Sequence, residues 1–180
     1  MLILLVLMLT ACTAVRPPDT SSRPLLAPSA LRANRAGNQI VRGAFGAREI
    51  TLNCVLTVRG DNLTVVGLTA MGVRAFTIRY DGRQVIVENE LPIPAQLTPE
   101  RLLADIQLVF WPTAALQSQF TSAGWQLTEP FANTRRLRRH DSLIAEVHYD
   151  SSDPWQGRSW LVNLEHGYTL SIESTPLAAP

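Results

Sequence analysis

The run from Ile50 to Glu88 constrains the fold most, because it reads as consecutive antiparallel strands joined by tight turns. From Ile50 to Val58 the even positions Ile50, Leu52, Cys54, Leu56 and Val58 are all apolar, and the odd positions are mostly polar. That period of two puts one face of a strand on a core. Gly60-Asp61-Asn62 then supplies residues that tolerate positive φ, and Leu63 to Leu68 resumes a β-rich run. Val73 to Tyr80 sets Phe76, Ile78 and Tyr80 on one face, and Tyr80-Asp81-Gly82-Arg83 signals a two-residue hairpin into Gln84 to Glu88. A curved antiparallel meander is the expected scaffold.

The flanks extend it. Asn38 to Phe45 predicts a first strand, with bends or bulges at Gly43 and Gly46. Leu91-Pro92-Ile93-Pro94 lacks two amide donors and must leave the sheet. A helix follows: Thr98 suits the N-cap, Pro99 the first helical position and Glu100 the first turn. Leu102, Leu103, Ile106, Val109 and Phe110 form its apolar stripe. Pro112 ends it or opens a second helix over 113–123, where Leu116 and Phe120 pair and Gly124 stands just past the end. Strands return at 125–128, 134–139, 143–149, 159–164 and 168–173, with Trp160, Val162, Leu164, Tyr168, Leu170 and Ile172 as the inward set. Strands, two helices and strands again is α+β, and the two central helices are expected on the concave face of a half-open sheet.

The N-terminus carries an address. Met1 to Ala11 is apolar but too short for a bilayer-spanning helix, which takes roughly 20 residues, so it reads as a signal peptide. Leu9-Thr10-Ala11-Cys12 matches the bacterial lipobox, in which the cysteine thiol is acylated and becomes the mature N-terminus. No Lys or Arg precedes the apolar run, which leads to the expectation of basic residues upstream of Met1. With Cys12 lipidated, Cys54 has no cysteine partner and reads as a small buried hydrophobe. Residues 12–36, with Pro17, Pro18, Pro24 and Pro28, read as the lipidated N-terminus and a flexible tether. Residues 37–175 read as one domain and 176–180 as a frayed tail.

Chemistry is sought and mostly not found. At 180 residues, 46% hydrophobic and a net charge of +1, the chain fits one domain and gives no sign of a nucleic-acid partner. There is no phosphate loop, no nucleophile elbow and no metal-ligand spacing, so neither metal nor cofactor is expected. Ser142, His148 and Asp141 compose a triad only on paper, and the chain is expected not to be an enzyme. Arg135, Arg136, Arg138 and Arg139 form the one charge cluster. It reads as a basic surface patch, either guarding an edge strand or attracting anionic headgroups or an acidic partner.

Four stretches carry a family resemblance: Gly67 to Phe76, Arg79-Tyr80-Asp81-Gly82, Leu102 to Pro112, and Gly167 to Ile172. Together they resemble the DUF3261 family of bacterial lipoproteins, and the order of elements is similar to the LolB-type lipoprotein receptors. The resemblance implies an outer-membrane lipoprotein whose half-barrel, capped by helices, holds acyl chains. Thr13, where an inner-membrane protein would carry Asp, implies a lipid anchor in the outer membrane with the body facing the periplasm. The expected function is to bind or present lipid-like cargo, of acyl or polyene type, in a cavity of Leu52, Leu56, Phe76, Ile78, Leu102 and Phe110. The alternative is a structural lipoprotein with a filled core that docks on an envelope protein. A cavity of about 300 Å³ or more would favour cargo, and native-density packing the alternative.

Overall fold

A computed structural model describes residues 23–178, apart from 90, 92, 93 and 95. Among the described residues ten strands form one antiparallel sheet: β1 (Arg35–Phe45), β2 (Arg48–Arg59), β3 (Asn62–Leu68), β4 (Arg74–Tyr80), β5 (Val85–Asn89), β6 (Trp125–Phe131), β7 (Thr134–Arg139), β8 (Ser142–Tyr149), β9 (Gly157–Asn163) and β10 (Tyr168–Leu177). The order is β5-β4-β3-β2-β1-β10-β9-β8-β7-β6, so each half is a run of hairpins and the halves meet where β1 pairs with β10. β5 and β6 are the two edges, and the sheet is open rather than a closed barrel. Two helices, α1 (Pro99–Phe110) and α2 (Thr113–Ser122), occupy the connection between the halves. The fold is α+β.

Local chemistry accounts for these elements. In β2 the even residues face inward: Cys54, Leu56 and Val58 are buried and Ile50 and Leu52 half-buried. The β4–β5 turn is fixed by Asp81, whose Oδ1 accepts from the N–H of Arg83 at 2.9 Å and of Gln84 at 2.8 Å. Thr98 caps α1 by accepting from the Arg101 N–H at 3.3 Å. The helix stops at Trp111, whose extended backbone is what the following Pro112 requires. On α2, Leu116 and Phe120 are buried, and Phe120 meets Trp125 of β6 with ring centroids 6.5 Å apart. α1 is held to the sheet by Tyr149 of β8, whose hydroxyl donates to the Val109 carbonyl at 2.9 Å.

Three expectations need correction. In β9 the inward residues are Ser159, Leu161 and Asn163, while Trp160 and Leu164 are exposed and Val162 half-buried. Register forces this phase, because Tyr168, Leu170 and Ile172 stand opposite Asn163, Leu161 and Ser159. The expected tail is shorter, since Pro176 and Leu177 pair with Gly37 and Ala36 at the end of β10. Residues 23–34, expected as tether, are docked. Arg23 and Leu26 are buried along α1, a 3₁₀ turn over Pro28–Leu31 follows, and Asn34 accepts from the Gly60 N–H at 3.0 Å. Cys12 and the leader before it lie outside the described residues.

Candidate functional site

α1 crosses the inner face of the sheet over β1, β2 and β10 and leaves an apolar slot of about 50 Å³. Of the predicted wall, Leu52, Leu56, Phe76, Leu102 and Phe110 all line it. Ile78 does not: it shares their face but is fully buried in a row with Val65 and Val87, inside the core. Phe76 reaches the slot because Gly67 is its cross-strand partner; a Cβ there would stand 2.5 Å from the ring. The mouth is marked by residues left half-buried, Val41, Ile50 and Leu52 on the sheet and Leu102 and Ile106 on the helix. A shallower depression of about 250 Å³ adjoins it, sharing Ile50 and Leu52 and reaching Leu91 and Pro94. The β3–β4 turn beside it projects Met71, which is 93% exposed.

Cys54 also lines the slot, and burial pushes its thiol up to about 12, so it stays neutral and unreactive. Asp105 reaches the slot from α1, but both its oxygens are engaged. Arg23 Nη2 donates to Oδ1 at 2.8 Å and the Tyr168 hydroxyl donates to Oδ2. Asn163 Nδ2 in turn donates to the Tyr168 hydroxyl at 2.9 Å. Burial, and then the Asp105 charge, pushes the Tyr168 phenol well above its ordinary range, which keeps it a donor. Two residues on, Gln107 bonds Leu26 twice, at 2.8 Å each, through its Oε1 and Nε2. Residues 23–26 thus form a strap along α1.

Sequence reasoning missed Asp105 and Gln107, although a signal existed. They are the only polar residues between Leu102 and Phe110, and a helix apolar nearly all round is buried on every side. Its polar members must then be bonded, and some further segment must cover it.

The four arginines are not one surface patch. Arg135 is 7% exposed and points inward, donating to the carbonyls of Leu108 and Trp111 at the C-terminus of α1. Glu129 lies 3.4 Å from its guanidinium, and the Tyr149 ring faces it. Arg136 pairs with Glu146, Arg138 donates to the Asp141 carbonyl, and Arg139 lies over the Trp125 ring. His148 is engaged with Glu146 and Thr134. Ser142 and His148 stand at opposite ends of β8, roughly 20 Å apart at strand spacing, so no triad forms there.

A family model described as a protein of unknown function, DUF3261, matches residues 36–176. The chain belongs to the DUF3261 family. The DUF3261 match begins with β1 and ends in β10, so it takes in the whole sheet, both helices and the slot, and leaves out the strap. No curated protein matches the chain.

Proposed function

We propose that the chain is a lipoprotein of the cell envelope, acylated at Cys12 and facing the periplasm from the outer membrane. Its sheet acts as a LolB-like half-barrel that binds or presents an acyl-bearing or other lipid-like molecule between α1 and β1–β2. The observation that carries this reading is the slot: a built, apolar space whose mouth leaves five large aliphatic side chains half-buried where a closed core would have covered them. With the strap docked from Arg23, the stretch from Cys12 spans at most about 40 Å even fully extended, so the slot works close to the bilayer.

The slot volume favours a second reading. About 50 Å³ is well under the roughly 300 Å³ of ordinary ligand pockets, so a whole acyl chain enters only if α1 moves outward. If α1 does not move, the protein is a filled-core envelope lipoprotein that docks on a protein partner. Native mass spectrometry of the purified full chain separates the two. A co-purifying lipid mass, lost on Leu102→Glu, is the expected result; a protein that stays ligand-free when offered phospholipid and fatty acid overturns the binding reading. The anchor is tested apart from it, since Cys12→Ser is expected to leave the outer-membrane fraction.

A further inference from the structure

The slot contains a donor that the protein leaves without an acceptor. Gln39 of β1 lines the slot and is 3% exposed, and its Nε2 makes no hydrogen bond. Directly across the β1–β10 ladder, Ser174 is also buried with an unpartnered hydroxyl. The Gln39 amide lies in the wall of the slot, folded back over Gly37, where a Cβ would stand 2.8 Å from Nε2. Buried polar groups are almost always bonded, so an orphan donor in the wall of an apolar space marks where the acceptor of an entering ligand would be satisfied. The charge around it narrows the class of acceptor. Asp105 is the only charged residue lining the slot among the described residues, and it is held by Arg23 and Tyr168. A carboxylate placed here would meet apolar walls and a like charge with no counter-charge. A neutral carbonyl meets neither obstacle.

We infer that Gln39 is a ligand-binding residue, and that the slot takes a neutral acyl ester or amide whose carbonyl oxygen accepts from Gln39 Nε2. The aliphatic chain then runs past Val41 and Leu52 toward Leu102 at the mouth. This rests on the ligand-binding reading above and adds the ligand's chemical class and the residue that reads it.

The test is displacement of the apolar dye phenylnaphthylamine from the full chain carrying Cys12→Ser, so that no attached acyl chain competes. The competitors are methyl dodecanoate, tetradecane and the dodecanoate anion at neutral pH. Methyl dodecanoate is expected to bind about tenfold more tightly than either of the others, the worth of one buried hydrogen bond gained. Gln39→Met is expected to remove that preference while leaving tetradecane binding unchanged. Equal binding of ester and alkane to the Gln39 protein overturns the inference without needing any variant, as does an ester preference that survives Gln39→Met. Tightest binding by dodecanoate overturns the neutral carbonyl. Failure of the dye and all three competitors to bind overturns the ligand-binding reading itself, and this inference with it.

Discussion

Asp105 is a buried charge whose loss the structure makes costly. It is 2% exposed, its carboxylate is 2.8 Å from the Arg23 guanidinium, and Arg23 is itself 7% exposed. Asp105→Asn keeps the shape and removes the charge, leaving a buried cation without a counter-ion. Unit charges about 4 Å apart attract by roughly 4 kcal/mol at an effective dielectric of about 20, and removing one partner of a buried pair costs about 3–5 kcal/mol. The Tyr168 hydroxyl loses a charged acceptor as well, a bond worth about 1.5–3 kcal/mol, of which the Asn carbonyl retains a part. Because the strap still buries Leu26 and bonds Gln107, the expected net loss for Asp105→Asn is about 3–4 kcal/mol. Arg23→Met is expected to cost somewhat less, since Asp105 keeps Tyr168. The double variant is expected to lose little more than Asp105→Asn alone, a coupling of about 2–3 kcal/mol. Urea unfolding followed by tryptophan fluorescence measures all four corners of the cycle. Strictly additive losses would refute the argument, because they would mean that Arg23 is not held by Asp105.

Phe76 is 1% exposed over Gly67, and the adjacent slot is too small to absorb its loss, so Phe76→Ala is expected to cost about 3–5 kcal/mol in urea unfolding; less than about 2 kcal/mol would mean a loosely packed wall. Stability is expected to fall with acidification in two windows. Burial, and then Arg101, hold the His166 imidazole below its ordinary value of 6.5, so the unfolded chain binds the extra proton and stability drops as pH falls below about 6.5. The hydrogen bond from Arg136, then that from His148, hold the Glu146 carboxyl below its ordinary 4.5, so its contribution is present above about pH 4.5 and is lost as pH falls further. Unfolding curves across pH check both: His166→Gln is expected to flatten the first slope and Glu146→Gln the second, and a wild-type protein equally stable at about pH 7 and 5 would contradict the His166 argument. In the Cys12→Ser chain Cys54 is the sole cysteine, and its neutral buried thiol is expected to react with Ellman's reagent only at the rate of unfolding; prompt labelling of native protein would show that the slot is open to reagent.

The meander was legible because β2, β3 and β4 alternate cleanly, and five of the six wall residues follow from that alternation and from the helical stripe. The sixth shows its limit. Alternation says which face Ile78 is on, whereas distance from α1 decides whether that face meets the slot or the packed core. β9 was misread by one residue because polarity there runs against burial. Ser159 and Asn163 face inward, Asn163 being kept by its bond to the Tyr168 hydroxyl, while Trp160 faces outward with Arg158 over its ring at 5.8 Å. Only pairing with β10 fixes the phase, and pairing is a long-range fact. Arg135 was illegible for a similar reason: in a run of four arginines nothing local marks the one whose partners are the carbonyls of a helix more than twenty residues earlier.

α1 joins the two parts of the molecule that sequence patterns separated. Its Leu102 and Ile106 form the helix side of the slot mouth, while Asp105 and Gln107, interleaved with them, hold the strap. On the proposed reading, a ligand longer than the slot enters by moving α1 away from β1 and β2. That motion is opposed by the strap, by Tyr149 at the Val109 carbonyl and by Arg135 at the helix C-terminus. The last two hold the end nearest Phe110, whereas the strap holds the helix at Ala104, Asp105 and Gln107. On this reading, outward movement of Leu102 and Ile106 uncovers Val41, Ile50 and Leu52, and it requires the strap to loosen. Loosening the Arg23–Asp105 pair is then expected to free the part of α1 that guards the mouth.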